Sequence, residues 1–61
     1  MTERTIPYWV PKRTMPDAVE AAKAAAALGQ LKVLGIALVT FAPTKDGQPA
    51  WEVRLRVRSG P

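Results

Sequence analysis

Residues Ala50 to Arg58 read A-W-E-V-R-L-R-V-R, with apolar and charged side chains alternating at period two. A β-strand sends successive side chains to opposite faces. Arg54, Arg56 and Arg58 therefore share one face with Glu52, while Trp51, Val53, Leu55 and Val57 share the other. The arginines repeat at about 6.6–7 Å along such a strand. Guanidinium forks match the oxygens of phosphates and carboxylates, so the row is chemistry for an anionic partner. Lys12 and Arg13 follow the aromatic pair Tyr8-Trp9 and extend the basic set. Tyr8, Trp9 and Phe41 offer rings on which bases of a single strand can stack. The candidate binding residues for nucleic acid or an acidic protein surface are thus Arg54, Arg56, Arg58, Lys12, Arg13, Phe41 and Trp9. A plainer reading stands beside this one. Alternating arginine also solubilises an exposed strand face and protects a sheet edge from aggregation. Trp51 reads as core, and Trp9 as core or a dimer contact ahead of base stacking.

Other chemistry finds little material. The chain has no Cys and no His, so the commonest nucleophile–base pairs and the usual N/S zinc sites have no ligands or bases to use. The carboxylates Glu3, Asp17, Glu20, Asp46 and Glu52 fall in an arm, a helix cap, a wet helix face, a turn and a strand, and no two are placed as an acid–base pair. The glycines, at positions 29, 35, 47 and 60, match neither the dinucleotide-binding fingerprint nor the P-loop spacing. Tautomerases built on an amino-terminal proline are small β-α-β-β enzymes, but this chain reads Met1-Thr2 there. The expectation is a protein that is not an enzyme, with no catalytic residue, metal or cofactor.

With 61 residues the chain makes one domain. A domain of this size buries only about 60% of the surface its unfolded chain exposes. Its single core rarely supplies more than about 3–5 kcal/mol. Without disulfide or zinc, association of copies is the remaining means of support, and a homodimer or larger homo-oligomer is expected. Nine basic and five acidic residues give net +4 and a pI near 10.2, a balance that favours anionic partners. Met1 to Thr5 is polar with no apolar stretch after it, as in a chain without a secretion signal. The longest uncharged run, Val33 to Thr44, is too short for a membrane span. A cytoplasmic location without membrane contact is expected.

These residues need elements to position them. Thr5 to Val10 has strand-type residues, and Pro7 confines it to an edge strand or an extended arm. Thr14-Met15-Pro16-Asp17 opens a helix: Thr14 caps it, Asp17 stands three residues on, and proline suits the first turn. The alanine-rich middle favours helix to about Leu28, and Gly29 is a natural left-handed cap. Val19, Ala22 and Ala26 lie on one face, with Met15 and Ala18 near it, and Asp17, Glu20 and Lys23 make the wet side. Leu31 to Phe41 is apolar on both faces, the pattern of a strand buried on both sides. Asp46-Gly47 is a hairpin signal leading into Ala50 to Arg58. Residues 1–4 and 59–61 are expected to fray. The order is β-α-β-β: an α+β domain with one helix packed on a three-stranded, mostly antiparallel sheet.

A two-residue Asp46-Gly47 turn would set Lys45 opposite Gln48. Leu38 would then pair with Leu55, Ile36 with Val57 and Thr40 with Val53 on the helix side. On the other side Arg54 would lie beside Val39, Arg56 beside Ala37, Arg58 beside Gly35, and Glu52 beside Phe41. The arginine row would then border an apolar strip of Gly35, Ala37, Val39 and Phe41.

The β-α-β-β order and length resemble dodecins, small flavin-binding assemblies. The second strand here has no tryptophan and the helix is shorter, so no flavin contact carries over. Tyr8 to Phe41, with a short strand, a helix opening T-x-x-[DE]-A at Thr14 to Ala18 and a second strand, resembles tiny phage proteins that bind and disable a host protein. No residue role carries over from either. The expected function is a small binding or regulatory protein whose basic hairpin face contacts nucleic acid. The alternative is a phage- or mobile-element-type inhibitor or antitoxin-like module that binds an acidic surface of a host protein.

Overall fold

The computed structural model describes Thr2 to Ser59. It contains β1 (Thr2–Val10), α1 (Met15–Leu28), β2 (Lys32–Phe41) and β3 (Trp51–Ser59). The sheet order is β1-β3-β2, and both pairings are antiparallel. β1 and β2 therefore run parallel to each other, joined by the α1 crossover, with β3 inserted between them. Thr2 pairs with Ser59, so Thr2 to Arg4 and Ser59 belong to strands instead of fraying. Met1, Gly60 and Pro61, also expected to fray, lie outside the described residues. The amino-terminal segment is an edge strand paired along its length, not an arm.

α1 begins and ends for local reasons. Thr14 has extended backbone, and its side chain accepts a hydrogen bond from the Asp17 N–H at 3.4 Å. Such a cap stabilises a helix by about 1 kcal/mol. The stop differs from expectation. Gly29 has φ −84°, and the left-handed residue is Gln30 at φ +61°. The Leu31 N–H donates to the Ala26 carbonyl and the Gln30 N–H to the Ala27 carbonyl, closing the carboxyl end. Glycine occupies this left-handed position without the steric cost a side chain brings. Gln30→Gly is therefore expected to raise stability by about 0.5–1 kcal/mol, read as a higher urea midpoint at unchanged slope.

The core is small because one helix covers one sheet face. α1 buries Ala18, Ala22 and Ala26 against Val53, Leu55 and Val57, and Val10 closes one end. Alanine at i, i+4 and i+8 keeps the helix axis close to the sheet. Leu55, Val53 and Val57 are the largest fully buried side chains. All three lie on the central strand.

The hairpin register departs from expectation, and its loop explains why. The Thr44 N–H donates to the Gln48 carbonyl, the Gly47 N–H to the Thr44 carbonyl and the Gln48 N–H to Thr44 Oγ1, each at 3.0 Å. The loop is thus Lys45-Asp46-Gly47, one residue longer than a two-residue turn, with Gly47 at φ +82°. A turn ending in a left-handed glycine is the usual three-residue hairpin connection. The extra residue shifts pairing by one, which exchanges the faces of the facing strand. Phe41 pairs with Trp51, Val39 with Val53 and Leu38 with Arg54. Irregularities at Ala37 and Leu34 then reset the register, giving Ile36 opposite Leu55, Gly35 opposite Arg56, Val33 opposite Val57 and Lys32 opposite Arg58. Each bulge absorbs one residue of β2. In this way Val33, Ile36, Val39 and Phe41 all share the helix-side face although their spacing is not two.

β2 is not buried on both sides. It is an edge strand, with Leu34, Ile36, Leu38 and Phe41 exposed at 37%, 45%, 48% and 52%. The buried, central strand is β3. An apolar run signals that both faces can be covered, but this chain has a single helix to cover them.

Candidate functional site: an open arginine-lined sheet face

Paired residues in an antiparallel ladder share a face. The side of the sheet away from α1 therefore carries Glu3, Thr5, Pro7 and Trp9 from β1, Glu52, Arg54, Arg56 and Arg58 from β3, and Lys32, Gly35, Leu38 and Thr40 from β2. Among the described residues no element packs on this face. Four cations and two carboxylates give it a net charge of +2. The arginine row runs down its middle, because β3 is the central strand. An edge-protecting role for these arginines is thereby removed: both edges belong to other strands.

The arginines are held by carboxylates. Arg56 and Arg58 both reach Glu3, at 3.2 and 3.4 Å, and Arg54 reaches Glu52 at 3.3 Å. All of these groups are at least one-third exposed. Solvent-exposed pairs of this kind contribute about 0–1 kcal/mol each, so an incoming anion can replace Glu3 or Glu52 at little cost. Removing the shared carboxylate frees two guanidinium groups. Glu3→Gln is therefore expected to strengthen binding of a polyanion several-fold at low salt, with less than about 1 kcal/mol lost in stability. Fluorescence anisotropy paired with urea denaturation reads both quantities.

Trp9 lies on this face and is 54% exposed. Its indole N–H reaches past the central strand and donates to the Ala42 carbonyl at 3.1 Å. That bond fixes the ring at the hairpin end of the arginine row. Trp9 is thus neither core nor loosely hung, and an exposed, oriented ring is what base stacking requires.

Not every candidate residue joins this face. Phe41, expected beside Glu52 among the arginines, lies on the helix side. It meets Trp51 edge-on, with ring centroids 5.0 Å apart and planes at 66°. The three-residue loop is the cause. Val39 leaves the strip for the same reason, and Ala37 sits at a bulge. The apolar border of the row is Gly35 and Leu38. Lys12 lines a shallow depression with Asp17, Glu20, Ala21 and Ala24 of α1, on the helix side of the molecule. Arg13 is exposed in the β1–α1 connection. The structure thus brings together Arg54, Arg56, Arg58 and Trp9 and leaves Phe41 and Lys12 elsewhere. It adds Lys32 and Leu38. Lys32 carried a signal in its charge, but its placement depends on two bulges that no local pattern announces.

Among the described residues no three His, Cys, Asp or Glu side chains cluster as a metal site would need. No helix among them is long and apolar enough to cross a membrane. No protein-family model, curated protein or solved structure matches the chain.

Proposed function

We propose that the protein is a small non-enzymatic binding or regulatory protein that contacts nucleic acid through the open sheet face. One observation supports this above the others: three arginines, Arg54 and Arg56 exposed and Arg58 partly so, sit on the central strand of an uncovered sheet face, with an oriented, exposed Trp9 beside them. Arginine supplies charge and forked donors to phosphates, and the indole supplies a sequence-tolerant stacking surface. A flat sheet with basic and aromatic side chains suits single strands, whose bases are free to stack. Lys32 and Thr5 widen the polar part of the surface, and Leu38 adds an apolar contact. A labelled single-stranded oligonucleotide titrated between 50 and 200 mM salt tests this reading. Three neutralised phosphates predict a slope of log affinity against log salt near −2, from about −0.7 per phosphate on single strands. Absence of binding at 50 mM salt overturns the reading.

A second reading draws on the ion pairs. Glu3 and Glu52 already engage all three arginines, and an acidic protein segment would use the same geometry. In this reading the protein is an inhibitor or antitoxin-like module on an acidic host surface. Displacement of the oligonucleotide by an acidic peptide, at concentrations where a neutral peptide has no effect, favours it.

A further inference from the structure

The two edges of the sheet are built differently. β1 carries Glu3, Arg4 and Pro7 along its length, and charge and proline are what deter further strand pairing. β2 has one charged residue, Lys32, at its very start, and nine uncharged residues after it. Among the described residues nothing pairs with its outer side. Its exposed apolar side chains belong to both faces of the sheet: Ile36 and Phe41 to the helix side, Leu38 to the open side. A ligand docked on one face would leave the other set exposed, whereas a strand added at the edge covers both. We propose that two copies of the chain associate through β2, pairing antiparallel edge to edge into one continuous six-stranded sheet.

The occupant is a second copy for three reasons. Antiparallel self-pairing sets the two Lys32 side chains at opposite ends of the shared strands, so no like charges meet. The surface has room to lose: the chain exposes 4318 Å², whereas a globular monomer of 6.6 kDa exposes about 3,900 Å². The guarded β1 edge also stops growth at two copies, as a closed dimer requires. The excess of about 400 Å² per chain corresponds to about 800 Å² for a pair, below the roughly 1,200 Å² of stable specific interfaces and in the range of weak, transient association. The two bulges shorten the uninterrupted pairing run. The dimer is accordingly weak, with dissociation in the micromolar range. Its dyad stands perpendicular to the sheet, so both helices lie on one side and both arginine rows on the other. This assembly does not depend on what the arginine face binds.

Sedimentation velocity on the full chain from 10 to 500 µM tests the proposal. A monomer–dimer equilibrium is expected. Ile36→Lys and Leu38→Lys place charge near the dyad and are expected to weaken the dimer at least tenfold, while Leu28→Lys at the exposed helix end leaves it unchanged. Amide exchange of the unmodified chain gives an independent reading: β2 amides gain protection as concentration rises, and β1 amides do not. A monomer at 500 µM, assembly beyond two copies, loss of the dimer in Leu28→Lys, or β2 exchange independent of concentration overturns the proposal. So does a dimer that survives both β2 substitutions.

Discussion

Replacing Arg54, Arg56 and Arg58 together by glutamine is expected to lower affinity for a single-stranded oligonucleotide about 100-fold at 50 mM salt. Each arginine side chain on this face is at least one-third exposed, so about 1 kcal/mol per phosphate contact is the appropriate scale, and 1.4 kcal/mol corresponds to a factor of ten. The salt slope should fall toward zero in the same variant, because the released counterions belonged to those contacts. Glutamine keeps a long side chain over the sheet, and the arginine stems also pack. The substitutions break the ion pairs to Glu3 and Glu52, which are weak, so the fold is expected to persist. Circular dichroism and a urea titration separate loss of binding from loss of structure. Trp9→Ala acts differently. It should cost about 1–3 kcal/mol of affinity through lost stacking and leave the salt slope unchanged.

Leu55→Ala is expected to unfold the protein at 25 °C. Leu55 is the largest fully buried side chain and lies at the middle of the central strand, between Val53 and Val57. Truncating a buried leucine costs about 2–5 kcal/mol. A core of this size supplies about 3–5 kcal/mol in total, so one substitution consumes the margin. The alanine face of α1 sharpens the effect. Ala18, Ala22 and Ala26 have no rotamer freedom with which to fill the space. Far-UV circular dichroism and one-dimensional NMR show the outcome. By contrast, Leu34→Ala on the exposed edge should change stability by less than about 1 kcal/mol.

Local chemistry carried most of the elements. Thr14, Pro16 and the alanine run predict α1, and the alternation from Trp51 to Arg58 predicts β3 and its two faces. The α+β order follows from these. What lay outside local reach depended on single-residue counting and on pairing partners. Asp46-Gly47 marks the hairpin, but whether two or three residues turn there depends on Gly47 taking the left-handed position behind Asp46. That one residue sent Phe41 and Val39 to the helix side and brought Leu38 beside Arg54. The bulges at Ala37 and Leu34 restored Ile36 and Val33 to the core side, and within one chain they disturb a single ladder, because β3 is the one strand β2 pairs with there. The place of β3 between β1 and β2 was hidden because a strand's neighbours are a tertiary property. This central placement changed the meaning of the arginines most, turning a guarded edge into the middle of an open face. Gln30 at the left-handed position could not be anticipated beside Gly29, the residue ordinarily preferred there.

The sheet face opposite α1 is the proposed binding surface. Chemical-shift mapping of the ¹⁵N-labelled chain with a short single-stranded oligonucleotide tests it directly. Perturbation is expected at Thr5, Arg54, Arg56 and Arg58, at the Arg54 and Arg56 side-chain N–H groups, and at the Trp9 indole N–H, with Ala18, Ala22 and Ala26 unmoved. Perturbation centred instead on Lys12, Lys23 and the outer face of α1, with the arginine row silent, would contradict it.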